Sequence, residues 1–270
     1  MSALDRWEAF LAQIEHRHRE VLAAGEARGR DFIASVAAGG EVTPLSHQLM
    51  AVESRLQALE ANIVDTWHAK VDDAIVAEGH GEAAREAAFA RGLALQDRLD
   101  DAREELSPRL HAELAQQRFQ YALAAAARAL YCSHCGAAWH RPLSFRALEL
   151  RCPSCHGLSL FDPGELMRSV AAVGTHALAQ VAATAEWRAM RAADRRARRL
   201  RPPVPLAAIV DSERSQIAYW RSYLAARAAF EPELARDPGL EIRARMEQWY
   251  LSHAEYEEEW VRAGRPRTPV

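Results

Sequence analysis

The chain has 270 residues, with 34 basic and 37 acidic side chains and a net charge of −3. That balance excludes a strongly basic protein that coats nucleic acid, though it leaves room for a local basic patch. Hydrophobic residues at 49% and charged residues at 26% are values of a folded chain with a real core, not of a disordered one.

Residues 2–38 read as one long helix. Leu4, Trp7, Leu11, Ile14, His18, Val21, Gly25, Gly29, Phe32 and Val36 recur at spacings of three and four, which puts them on one stripe. Sustained over about five heptads, such a stripe is a coiled-coil seam, and it offers a surface for self-association. Gly39-Gly40 stops the helix and Pro44 opens the next. The second helix is expected over 44–78, with a stripe at Leu45, Leu49, Val52, Leu56, Leu59, Ile63, Trp67, Val71 and Ile75. Its last spacings are all four, so the seam drifts from a heptad. The two helices form an antiparallel hairpin, each arm roughly 50 Å long. Gly79-His80-Gly81 breaks the chain before a third helix over 82–105. Ser107-Pro108 then predicts a new start or a kink.

Residues 131–161 change character. Cys132-Ser133-His134-Cys135-Gly136 and Cys152-Pro153-Ser154-Cys155-His156-Gly157 are two CxxC pairs sixteen residues apart, with a strand-like stretch over 145–151 between them. Four thiolates suit a tetrahedral zinc ion, and two intervening residues let one tight turn present both sulfurs. Gly136 and Gly157 stand where such turns often need positive φ. His134, His140 and His156 lie close to the pairs, as replacement ligands or as neighbours. Residues 131–161 resemble the zinc-ribbon and rubredoxin-like four-cysteine knuckles. That resemblance implies Cys132, Cys135, Cys152 and Cys155 as ligands of one structural Zn²⁺, with iron as the alternative.

Beyond the module, Asp162-Pro163-Gly164-Glu165 reads as a capping box opening a helix to about residue 200. Residues 201–205 form a proline-rich connector, and two more helices follow over 211–230 and 238–263. Arg188, Arg191, Arg195, Arg196, Arg198, Arg199 and Arg201 crowd the end of the 162–200 helix. Arg191, Arg195, Arg196, Arg198 and Arg199 offer phosphate contacts to nucleic acid; equally, they offer pairs to acidic neighbours such as Glu255, Glu257, Glu258 and Glu259. Ile242, Met246, Trp249, His253, Tyr256 and Trp260, with Ile217, Trp220 and Leu224, form stripes suited to a core or to a partner.

Glu15-x-x-His18 and Asp65-x-x-His68 would face each other across the hairpin. Carboxylate-x-x-His on facing helices is the device of di-iron bundles. With a rubredoxin-like knuckle it resembles rubrerythrin, with Asp65 in place of a glutamate. This resemblance implies an iron-dependent oxidoreductase using Glu15, His18, Asp65 and His68.

The expected architecture is mainly α. A long antiparallel helical hairpin or bundle spans 1–130, a small β zinc ribbon is inserted at 131–161, and C-terminal helices fill 162–264 before a frayed tail at 265–270. No signal peptide and no apolar run of about 20 residues is seen, so no membrane span is expected. All four cysteines fall in the module, which suits a reduced, cytoplasmic compartment. No GxSxG, HExxH or phosphate-loop motif is present. The leading expectation is a non-enzymatic scaffold or adaptor that binds another protein. Nucleic-acid binding and rubrerythrin-like oxidoreduction are the alternatives.

Overall fold

The structure, a computed structural model, describes residues 1–36, 43–126, 130–139, 144–170, 174–201, 203–231 and 237–264. The chain is mainly helical, with two small β-hairpins around the cysteines. It divides into two compact units, Met1–Glu113 and Leu114–Val270. Among the described residues no helix is long and apolar enough to cross a membrane.

In the first unit α1 spans Ala3–Ser35, capped by a reciprocal Ser2–Asp5 box. The expected stripe is buried from Trp7 to Gly29, and Ile33 continues it in place of Phe32 and Val36. The two glycines are close approaches. A Cβ on Gly25 would stand 2.7 Å from Val52, and one on Gly29 2.5 Å from Leu110. The turn expected at Gly39-Gly40 lies outside the described residues.

α2 (Thr43–Thr66) packs on α1. The expected single helix to Glu78 is instead interrupted by a π-helical turn over Trp67–Val71, after which α3 runs over Asp72–Ala77. The four-residue spacing of Ile63, Trp67, Val71 and Ile75 explains it. In a regular helix that series rotates off the seam, and one wider turn returns Trp67 and Ile75 to the core. There Trp67 meets Trp7 edge-on at 5.3 Å and Phe89 at 5.0 Å, and the Trp7 indole N–H donates to the Ala88 carbonyl.

The break at residues 79–81 is present, with Gly79 at φ +79°. Of the new start or kink expected at Ser107-Pro108, the new start is absent: α4 is continuous over Glu82–Ala126, with Pro108 inside it. An interior proline costs about 3 kcal/mol. Leu106 and Leu110 flank it fully buried, and each contributes about 1.5–3 kcal/mol, so packing outweighs the lost hydrogen bond.

In the second unit, β1 (Leu130–Tyr131) pairs antiparallel with β2 (Ala138–Trp139), and β3 (Leu148–Arg151) with β4 (Leu158–Phe161). The capping box at Asp162 is not formed. The Asp162 carboxylate accepts from the Gly164 amide at 2.8 Å and from Arg168. Gly164 sits at φ +90°, so the helix α5 starts only at Glu165 and ends at Ser169. The expected helix to residue 200 is further divided into α6 (Thr175–Ala182) and α7 (Thr184–Arg198). At this junction the Thr184 hydroxyl donates to the Val181 and Gln180 carbonyls, competing with the helix ladder.

α8 (Leu206–Ala228) starts earlier than the sequence suggests and packs against α6, α7 and α9. α9 (Pro238–Ser252) begins at its expected cap, where Asp237 accepts from the Leu240 amide at 2.9 Å. The expected run to residue 263 breaks at His253, and α10 covers Ala254–Arg262. Ile242, Met246, Trp249, His253, Tyr256 and Trp260 are all buried, so the aromatic stripe faces the core.

Candidate metal centre

Each cysteine pair sits in the loop of one β-hairpin. Cys132 leaves β1 and Cys152 leaves β3, and both loops close by the same bonds. The Cys132 amide donates to the Ala137 carbonyl and the Gly136 amide returns to the Cys132 carbonyl. Twenty residues on, the Cys152 amide donates to Gly157 and the His156 amide to Cys152. The sequence shows no internal repeat, but at the scale of one knuckle the structure does.

The matching fixes where positive φ falls. Gly136 has φ +71°, as expected, but its counterpart is His156 at φ +58°, not Gly157. Gly157 serves a different need: a Cβ there would stand 2.8 Å from Cδ2 of His134.

The four sulfurs converge. Cys132 Sγ lies 3.7 Å from Cys155 Sγ, Cys135 Sγ lies 3.8 Å from Cys152 Sγ, and all four are within 4.8 Å of one another. Sulfurs held about 2.3 Å from a central ion in a tetrahedron stand about 3.8 Å apart. The four cysteines can therefore bind a metal ion. Cys132 and Cys152 are buried, Cys135 and Cys155 exposed.

Amides supply the local charge. The His134 and Ser154 amides point at Cys132 and Cys152 Sγ, each at 3.4 Å. Donation from the Cys155 amide, reinforced by Ser154, lowers the Cys152 thiol to about 6. The amides of His134 and Cys135 likewise lower Cys132. At Cys155 the Gly157 amide favours the thiolate, but the neighbouring sulfurs, led by Cys135, together with burial outweigh it and push the thiol up to about 12. Crowded thiols resist ionising together, and a dication compensates the thiolate charge.

The other candidate residues are placed elsewhere. Among the described residues the four cysteines are the one group of three or more acidic, His or Cys side chains whose ligand atoms converge. Glu15, His18, Asp65 and His68 form no such group. Glu15 pairs with Arg98 at 3.6 Å, and the His68 ring lies 5.7 Å from Phe89. His18 is buried with its Nε2 3.1 Å from Glu60, whose carboxylate also accepts from Arg103 Nε at 3.0 Å. The residue that stands against His18 is Glu60 of α2, not Asp65 or His68.

Two arginines of the stretch are ion-paired from nearby. Arg196 pairs with Asp211 at 2.7 Å and Arg198 with Asp194 at 2.9 Å. Arg191 stacks on Trp187 at 4.9 Å, and Arg195 and Arg199 also have interaction partners. Two of the carboxylates are thus Asp194 and Asp211, one on α7 and one on α8; Glu259, an expected partner, pairs with Arg262. His140 lies outside the described residues. His134 is not one of the converging ligands: its Nε2 is 3.1 Å from the Leu158 carbonyl, and a carbonyl can only accept, so that nitrogen carries the proton.

Comparison with known protein families, with curated proteins and with solved structures finds no match to this chain.

Proposed function

We propose that the chain is a zinc-binding scaffold or adaptor, in which one structural Zn²⁺ on Cys132, Cys135, Cys152 and Cys155 fixes a ribbon that engages a protein partner. The observation that carries the metal reading is the pair of cross-knuckle sulfur distances, 3.7 and 3.8 Å, which equal the edge of a zinc–thiolate tetrahedron. A module whose strands are two to four residues long buries too little apolar surface to hold itself, so the ion supplies folding energy.

The partner reading rests on the ribbon's exposed apolar residues. Tyr131 is 66% exposed, Leu158 56% and Leu160 74%. Leu158 and Leu160 are two apart on β4 and share a face, opposite Arg151 and Glu149 on β3. An apolar centre with a charged rim is the anatomy of a protein interface. The pairing of Arg196 and Arg198 with aspartates favours protein over nucleic acid.

The test is metal analysis of purified chain together with capture experiments. One zinc per chain and a colourless sample are expected; bound iron with visible absorbance would instead favour electron-transfer chemistry. Leu158→Asp with Leu160→Asp should retain zinc and lose the captured protein.

A further inference from the structure

The knuckles also differ in their contacts with each other. The first reaches across to the second: the Ser133 hydroxyl is 3.2 Å from that of Ser159, and His134 Nε2–H donates to the Leu158 carbonyl at 3.1 Å. The His134 ring sits close on Gly157, where a Cβ would be 2.8 Å from Cδ2 and 3.2 Å from Cγ. Neither cysteine turn alone fixes the distance between the two sulfur pairs. His134 is flanked by Cys132 and Cys135, while Gly157 and Leu158 follow Cys155, so this one contact ties both sulfur pairs together.

We propose that His134, seated on Gly157 and hydrogen-bonded to Leu158, is the positioning residue that locks the two knuckles in register and slows release of the bound ion. This rests on the metal reading above. The donated bond fixes the ring, and the missing side chain at 157 lets the ring approach. Groups of this kind, one shell beyond the ligands, typically alter metal retention by 10- to 100-fold.

The experiment follows zinc transfer from the loaded full chain to a chromophoric chelator. His134→Ala and Gly157→Ala should each release zinc about 10-fold faster. His134→Gln keeps an N–H donor and should recover most of the wild-type rate. Cobalt-loaded samples of all three should retain the wild-type four-thiolate absorption bands, which shows that the ligands are unchanged. Wild-type release rates in both alanine variants would overturn the proposal while leaving the metal reading intact. Failure of the wild-type chain to load zinc or cobalt would overturn both. If His134→Ala does not fold, equal rates in His134→Gln, Gly157→Ala and wild type would decide against the clamp.

Discussion

Gly136 and His156 occupy the same place in successive knuckles, and both have positive φ, +71° and +58°. A side chain costs about 1 kcal/mol or more in that region, so the second knuckle carries a strain that the first avoids. His156→Gly should therefore raise the stability of the zinc-loaded module by about 0.5–1 kcal/mol, and Gly136→Ala should lower it by a similar amount. Denaturant unfolding of the loaded chain measures both. A destabilised His156→Gly would mean that the imidazole makes a contact worth more than the strain.

His253 interrupts the last helix with its ring stacked on both Trp249 and Tyr256, at 5.0 and 5.1 Å, and those two rings also meet at 5.9 Å. Asp194 Oδ1 stands 3.3 Å from its Nε2 and Arg198 Nη2 3.0 Å, both from α7. Hydrogen bonding to Asp194 raises its pKa, helped by the Trp249 carbonyl, against the effects of burial and of the Arg198 charge. A raised folded value means that this stabilisation is complete below about 6.5, the unfolded value, and is lost as pH rises through the folded one. His176 runs the other way. Burial, with Arg227 and Arg245, lowers its pKa, so its contribution is complete above about 6.5 and is lost on acidification. The measurement is therefore a difference: the gap in melting temperature between wild type and His253→Gln should be wider at pH 6 than at pH 8.5. A gap independent of pH would show that His253 does not gain its proton more readily on folding.

In the first unit Glu60, 4% exposed, holds both His18 and Arg103. Glu60→Ala takes one of three carboxylates from Arg103, which keeps Asp100 and Glu104, and leaves buried His18 without its partner, which should cost about 1–3 kcal/mol. Replacing His18 and Glu60 together by leucines should restore much of that loss, because neither side chain is then left without its buried partner and Arg103 keeps Asp100 and Glu104. Equilibrium unfolding in urea checks both. A loss under about 1 kcal/mol for Glu60→Ala would show that His18 finds another partner when the carboxylate is gone.

Much of this was legible in the sequence, and what was missed has local causes. The Trp7-to-Gly29 stripe and the two CxxC pairs are periodic or fixed-spacing signals, and both appear as read. At Pro108 propensity alone marks a stop, but the helix does not restart there, because the burial of Leu106 and Leu110 is a tertiary effect. The turn at Trp67 was present as a repeated spacing of four, read as drift rather than as a wider turn. The split between α9 and α10 left no glycine or proline to mark it, only His253. Gly157 looked like a turn glycine; its neighbour His134 comes from the other knuckle, 23 residues earlier, and no local pattern reports such a contact.

The most direct test of the central claim is metal stoichiometry measured on purified wild type and Cys152→Ser side by side. The account predicts one zinc per chain in the wild type, with its four thiols shielded from alkylation until a chelator is added. In Cys152→Ser, zinc should be lost and residues 130–161 should become open to protease. Wild-type protein with four freely reactive thiols and no bound metal after zinc loading would contradict it.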